Sequence, residues 1–179
     1  MNRASTNSII DRAIRVVKLE PRVFNVIARD PAATQQAAIV VGVVAIANAI
    51  GGAGEGIGGI VVGLISAILG WLIFAGMAWF FGTTIFGTPT THGNWESLLR
   101  TLGYAQAPNI LGFFGFIWVV GWLAAFIGAI WSVVVSVVAI RETLDFSTGR
   151  AVITAIIAWI ATAIVAGILG LIFGIGIAI

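Results

Sequence analysis

Residues 93–108 form the one long polar and charged passage between two apolar blocks, each far too long for a globular core: Gly93-Asn94-Trp95-Glu96-Ser97-Leu98-Leu99-Arg100-Thr101-Leu102-Gly103-Tyr104-Ala105-Gln106-Ala107-Pro108. The passage contains the only tyrosine of the chain, an arginine, and a proline that interrupts a helix. Because apolar runs flank it on both sides, its placement sets the topology of the whole chain. It contains no set of side chains typical of a catalytic site.

The composition is that of a membrane protein. Hydrophobic residues make up 60% of the chain and charged residues 9%, with a mean hydropathy of +1.11, whereas a soluble domain has about a quarter of its residues charged. The apolar runs are rich in Ala, Gly, Val, Ile and Leu, which favours closely packed spanning helices over the alternating pattern of a barrel. The sequence therefore predicts an all-α, polytopic membrane helix bundle. With no cysteine, it excludes disulfides, thiolate metal sites and cysteine nucleophiles.

The N-terminal segment, residues 1–31, is basic. It holds six of the nine Lys and Arg residues, and because no apolar h-region follows the start, we expect no cleaved secretory signal. Ser8 can cap a first short helix, with Ile9, Ile10, Ala13, Ile14 and Val17 on one face and charged residues on the other. Pro21 suits the first turn of a second helix over 22–29. The pair predicts an amphipathic segment in the plane of the membrane, which either recognises anionic lipid or a cytosolic partner or only sets orientation.

The apolar runs and the charges together predict five crossings. We expect spans over about 32–50, 57–86, 95–116, 119–141 and 150–174, within a transmembrane domain of 32–179. With a cytoplasmic N-terminus, all nine Lys and Arg residues then lie inside, as the positive-inside rule requires. A four-span arrangement would place Arg141 and Arg150 outside. The expected location is the inner (cytoplasmic) membrane, with the C-terminus outside.

Three passages resemble the Yip1-domain family of small five-span membrane proteins, over about Arg15 to Val152. They are Val17-Lys18-Leu19-Glu20-Pro21-Arg22-Val23-Phe24 with Asp30-Pro31, Leu98-Leu99-Arg100-Thr101-Leu102-Gly103-Tyr104-Ala105-Gln106-Ala107-Pro108, and Leu144-Asp145-Phe146-Ser147-Thr148-Gly149-Arg150-Ala151. The resemblance implies the five-span topology. The eukaryotic members of the family are similar to adaptors that bind membrane-anchored GTPases in vesicle traffic. Their Asp-Leu-Tyr-Gly-Pro motif is missing here, so the resemblance implies a topology rather than an activity.

Candidate binding residues fall into two chemical groups. Each basic residue near an anionic membrane surface contributes about 1 kcal/mol of binding free energy. Arg100 could bind a lipid phosphate, or form an ion pair with Glu96 one helical turn earlier. Small residues spaced by four, including Gly59 with Gly63, let helices of the bundle or of another subunit approach closely. The predicted partner- or lipid-binding residues are Arg12, Arg15, Lys18, Arg22, Arg100, Tyr104, Gly128, Ser132, Gly170 and Gly174.

The sequence gives little support for metal binding, ion-coupled transport or catalysis. His92 has no second His and no Cys nearby, which argues against a metal or haem, and the predicted core has no ionisable residue of the kind that ion-coupled transporters use. Trp71, Trp131 and Trp159 either pack between helices or contact a pigment or quinone. We predict no cofactor, no nucleic acid partner and no enzymatic activity. The expected function is a scaffold or accessory subunit that contacts lipids, another membrane protein or a second copy; the alternative is a passive channel or a transporter of lipids or small molecules.

Overall fold

The computed structural model describes residues 8–52, 56–89, 91 and 93–173, and this part of the chain is all-helical, as predicted. A π-helical turn, Phe81–Ile85, extends the fourth α-helix, and a 3₁₀ helix, Ala107–Phe116, follows the fifth. We call the latter the 3₁₀ segment. The α-helices are α1 (Ile9–Val17), α2 (Pro21–Arg29), α3 (Ala33–Gly51), α4 (Gly56–Phe80), α5 (Trp95–Tyr104), α6 (Trp118–Leu144) and α7 (Thr148–Phe173).

Helices α1 and α2 form for the local reasons that the sequence indicates. The Ser8 hydroxyl accepts a hydrogen bond from the Asp11 amide at 3.1 Å, and Pro21 occupies the first position of α2. Leu19, with φ of 59°, turns the chain between them. Both helices pack against α5 and α6. They bury Arg12 and Val16 from α1, and Val23, Phe24, Ile27 and Ala28 from α2.

The described chain has four helices long and apolar enough to cross a membrane, not the five that we expected. They are Ala33–Gly51, Gly58–Ile85, Trp118–Leu144 and Thr148–Ile172. The expected third span, 95–116, is not a continuous α-helix, because α5 ends at Tyr104 and the chain continues as the 3₁₀ segment. Pro108 lacks an amide hydrogen and disfavours α-helical geometry in the residue before it, which accounts for the break.

The 3₁₀ segment is held between α3 and α6 by glycines. A Cβ on Gly51 or Gly121 would collide with carbonyl oxygens of the segment, those of Gly112 and Phe114, and one on Gly128 would lie 2.7 Å from the Pro108 carbonyl oxygen. A 3₁₀ helix this long is uncommon because its hydrogen bonds are poorly aligned. Contact with two neighbouring backbones stabilises it here.

Helix α5 lies among α2, α3, α4 and α6 and joins the N-terminal helices to the bundle. Asn94 caps it by accepting a hydrogen bond from the Ser97 amide at 2.8 Å. A Cβ on Gly103 would lie 2.7 Å from the Ala37 Cβ, so α3 and α5 approach closely at this point. The buried Trp71 indole donates to the Leu99 carbonyl oxygen at 2.9 Å, which ties α4 to α5.

Candidate functional site

A network of polar side chains joins α1, α3 and α5 at the end of the bundle where α1 and α2 pack. Arg12 donates to the Asp30 carboxylate at 2.6 Å and to the Gln36 side-chain oxygen at 2.9 Å. The Tyr104 hydroxyl donates to the same Gln36 oxygen at 2.7 Å. We call these four residues the polar junction. Arg12, which helical spacing placed on an exposed face, is only 1% exposed, so its guanidinium holds the fold together at this point.

Asp30 gives the polar junction a dependence on pH. The hydrogen bond from Arg12 lowers the pKa of Asp30 below its ordinary value. A lowered folded-state pKa means that the stabilisation is complete above the unfolded-state pKa, about 3.9, and is lost as the pH falls through the folded value. We therefore expect the contribution of Asp30 to the melting temperature in detergent to be constant from neutral pH to about 4, and the melting temperature to decrease below that pH. The decrease should be smaller in Asp30→Asn; an equal decrease would assign it to other carboxylates.

Arg100 anchors α5 to the end of α2 and the start of α3. Its guanidinium donates to the Thr34 hydroxyl and to the Ala28 carbonyl oxygen, each at 2.8 Å. Ser97 donates to the same carbonyl at 3.1 Å. A cation suits this position, since the last carbonyls of a helix lack partners and carry partial negative charge. The expected pairing of Arg100 with Glu96 is wrong: the ion pairs between described residues do not include it, and Glu96 is exposed.

We expect Arg100→Ala to lower the free energy of unfolding by about 2 kcal/mol, because it removes two charge-assisted hydrogen bonds and leaves the Ala28 carbonyl with only Ser97. Glu96→Ala, one turn away on the exposed face, should change it by less than about 0.5 kcal/mol. Thermal melts of the two variants in one detergent compare them directly. Equal tolerance of both substitutions would remove the anchoring role of Arg100.

The other predicted basic residues lie at the surface. Arg15 is partly exposed and forms an ion pair with Glu20 at 2.8 Å, while Lys18 and Arg22 are exposed. The Trp131 indole donates to the Val17 carbonyl oxygen at 2.9 Å, beside Lys18. Trp131 therefore ties α6 to the end of α1. Lipid or partner binding by these basic residues stays a prediction.

The predicted small residues differ in their surroundings. Gly128 of α6 contacts the 3₁₀ segment, and Ser132, one turn further along, is buried and donates to the Ala105 carbonyl oxygen at 3.0 Å. Both contacts lie within this chain. Gly170 is half-buried on α7, and Gly174 lies outside the described residues. Gly63 does not lie at a close helix contact, since a Cβ there would meet nothing within 4 Å.

A cleft of about 740 Å³ lies among α3, α4, α6, α7 and the 3₁₀ segment. Its volume falls within the range of about 300–1,000 Å³ typical of small-molecule sites. Half of its lining residues are Gly or Ala, so missing side-chain bulk creates the space. Trp71, Phe74 and Trp159 line one part of it, with Phe74 and Trp159 edge to face at 6.0 Å between ring centroids. The aliphatic and small residues that line it are Val41, Val44, Ala45, Ala49, Gly52, Gly59, Gly63, Ala67, Gly70, Gly112, Ala125 and Ala129.

Polar side chains line the cleft near the break between α5 and the 3₁₀ segment. The Asn109 amide nitrogen donates to the Gln106 side-chain oxygen at 2.7 Å and to the Ser132 hydroxyl at 3.2 Å. Asn48 and Thr162 also line the cleft. The convergence of these polar residues was hidden because α3, the 3₁₀ segment, α6 and α7 lie far apart in the chain.

The described residues contain no cluster of side chains of the kind that binds a metal ion. Within 8–52, 56–89, 91 and 93–173, no three His, Cys, Asp or Glu side chains come together as metal ligands would. His92 falls outside these ranges.

Comparison with known proteins identifies one family. A family model described as the Yip1 domain matches residues 15–170, most of the chain. No match was found among curated proteins or among solved structures.

Proposed function

Since the chain belongs to the Yip1-domain family of membrane proteins, we propose that it is a non-enzymatic scaffold or accessory subunit at the cytoplasmic face of the inner membrane. The observation that carries this proposal is the way α1 and α2 are fastened to the bundle. Hydrogen bonds of the polar junction and of Arg100 connect α1 and α2 to α3 and α5. Lys18, Arg22 and Arg29 are exposed. A fixed surface with exposed cations suits a binding role.

The same surface carries exposed apolar side chains. Ile10 is 73% exposed, Ile14 49% and Val26 44%, although other apolar residues of the two helices, such as Val16 and Val23, are buried. Large apolar side chains grouped with cations are typical of surfaces that contact lipid headgroups or another protein. These exposed residues are Ile10, Ile14 and Lys18, spaced by four along α1 and its C-cap, and Arg22, Val26 and Arg29, spaced by four and three along α2.

The proposal includes five crossings, with α5 and the 3₁₀ segment together as the third. Each has ten residues, and at 1.5 and 2.0 Å per residue they span roughly 35 Å laid end to end. A bilayer core is about 30 Å thick. The extra rise of the 3₁₀ segment thus compensates for the short α5. The glycine contacts with α3 and α6 support the arrangement, because they place protein against part of the 3₁₀ backbone, and a non-α-helical backbone is tolerated at membrane depth where protein covers it.

Single-cysteine labelling tests the topology, and the chain has no native cysteine to interfere. With five crossings and a cytoplasmic N-terminus, Trp118→Cys should react with a membrane-impermeant maleimide in intact cells, since Trp118 is 91% exposed. Asp145→Cys should react only after the membrane is opened. If α5 and the 3₁₀ segment do not cross, the two results exchange, which would overturn the five-span topology.

Gentle nanodisc purification followed by mass spectrometry tests the scaffold role. We expect a stoichiometric partner protein that is retained by the wild type and lost in Arg22→Glu. Arg150→Glu, a matched charge reversal at another exposed arginine, should keep the partner. A homo-oligomer that carries only lipid, the same in all three proteins, would contradict the proposal.

Passive lipid transport is the second candidate, because the cleft favours it. Half of the lining is Gly or Ala, and a broken helix beside a cavity is typical of transporter sites. Flux of a fluorescent lipid in reconstituted vesicles tests this candidate. A rate equal to that of protein-free vesicles would exclude it.

A further inference from the structure

The cleft contains side-chain amide groups whose hydrogen bonds are incomplete. Gln106 and Asn109 bond to each other through one oxygen and one nitrogen, which leaves the Asn109 oxygen and the Gln106 nitrogen without a hydrogen bond in the described structure. If the oxygen and nitrogen of both amides are exchanged, the free acceptor lies on Gln106 and the free donor on Asn109. One acceptor and one donor are therefore without a hydrogen bond in either assignment. Among the described residues, the Asn48 side chain, also in the lining, has no hydrogen bond either.

Gln106 and Asn109 are half-buried and Asn48 is exposed, so their unpaired amide atoms open into the cleft rather than being enclosed by protein. Away from water, an amide without a partner costs roughly 2–7 kcal/mol, and lipid tails supply no partner. The Asn109 amide is also fixed in position, because its nitrogen bonds to Ser132, which is in turn bonded to the Ala105 carbonyl oxygen. A ligand that offers both a donor and an acceptor would complete the set.

The cleft lining restricts the charge of such a ligand. It includes no Asp, Glu, Lys, Arg or His among the described residues, so a phosphate or ammonium head would lie there without a counterion, at a prohibitive cost. A quinone has acceptors only and would leave the Asn109 oxygen unpaired. Hydroxyl and ester groups supply both a donor and acceptors, and the aromatic and aliphatic walls suit hydrocarbon chains.

We propose that the cleft binds a neutral acylglycerol from the bilayer. Its hydroxyl and ester groups lie against Gln106 and Asn109, and its chains lie along the wall that contains Trp71 and Phe74. This inference does not depend on the scaffold role. It requires only that the cleft faces the membrane interior, where both α4 and α7 expose apolar side chains: Ile60, Val61, Val62, Ile65, Ile160 and Ile164.

The test uses the full chain in nanodiscs with a photoactivatable diacylglycerol as the probe. Gly63→Leu adds bulk to the cleft lining at a position where a Cβ meets nothing within 4 Å. Gly167→Leu is the matched control, because Gly167 is equally open but does not line the cleft. We expect cross-linking to the lining residues in the wild type and in Gly167→Leu, and at least tenfold less in Gly63→Leu. Equal labelling of the three proteins would overturn the proposal.

A second variant and two competitors make the result specific. Asn109→Leu removes the hydrogen bonds with little change in volume, and labelling should decrease about tenfold, as expected for the loss of a buried hydrogen bond. Unlabelled diacylglycerol should compete with the probe, whereas phosphatidylglycerol and a quinone should not. Equal competition by either would overturn the assignment to a neutral acylglycerol, and undiminished labelling of Asn109→Leu would overturn recognition by the amides.

Discussion

Asp30→Asn is expected to lower the free energy of unfolding by about 3 kcal/mol, because it leaves a buried guanidinium without its carboxylate. The Arg12 side chain is 2% exposed and that of Asp30 29%. Asparagine keeps the shape of the side chain and an oxygen for the Ala32 amide, which bonds to Asp30 at 3.0 Å. The substitution therefore removes charge and leaves the start of α3 otherwise intact. Thermal or denaturant unfolding in detergent measures the change.

Glu20→Gln is the matched control for that variant. It removes the ion pair with Arg15, whose two side chains are 24% and 43% exposed, and such exposed pairs contribute less than about 1 kcal/mol. Arg12→Leu combined with Asp30→Asn should recover part of the loss, since no buried charge then remains unpaired. Equal melting temperatures for Asp30→Asn and Glu20→Gln would mean that the polar junction is hydrated and adds little to stability.

The sequence predicts the polar junction poorly because its members are distant in the chain. Helical spacing correctly places α1 and α2, but a single helix has several faces, and periodicity does not tell which one a tertiary neighbour covers. Because helical spacing puts Arg12 on the charged face of α1, the sequence predicts that Arg12 is exposed. The burial of Arg12 depends on Asp30 and Gln36, which reach it only after α2 and α3 have packed.

The break in the third expected span left a partial signal in the sequence. Pro108 indicates a kink, but the continuation as a 3₁₀ helix depends on neighbours that spacing alone does not reveal. Gly112 and Gly115 are three residues apart, which is one turn of a 3₁₀ helix, and both face Gly51 or Asn48 of α3. Four-residue spacing belongs to α-helices. It identifies Gly128 correctly as a close contact but misses the glycines of the 3₁₀ segment.

Gly128→Leu is expected to destabilise the protein more than Asp30→Asn or Arg100→Ala, by more than about 3 kcal/mol or with complete loss of folded protein. A Cβ at this position would lie 2.7 Å from the Pro108 carbonyl oxygen and 3.2 Å from the Leu111 Cβ. The first of these is a backbone atom and cannot move aside alone. Gly121, two turns away on the same face of α6, contacts the 3₁₀ segment as well, so α6 cannot tilt to relieve one contact without disturbing the other.

Helix propensity and lipid solubility both favour leucine over glycine, by about 1 kcal/mol for propensity alone, so a loss of stability can come only from the contact. Gly167→Leu isolates these favourable terms, because a Cβ on Gly167 meets nothing within 4 Å, and it should be neutral or slightly stabilising. Gly128→Ala should fall between the two. Size-exclusion profiles and thermal melts in one detergent compare the three variants. If Gly128→Leu behaves like Gly167→Leu, α6 does not contact the 3₁₀ segment, and the segment then lacks one of the two protein neighbours that cover its non-α-helical backbone in the membrane.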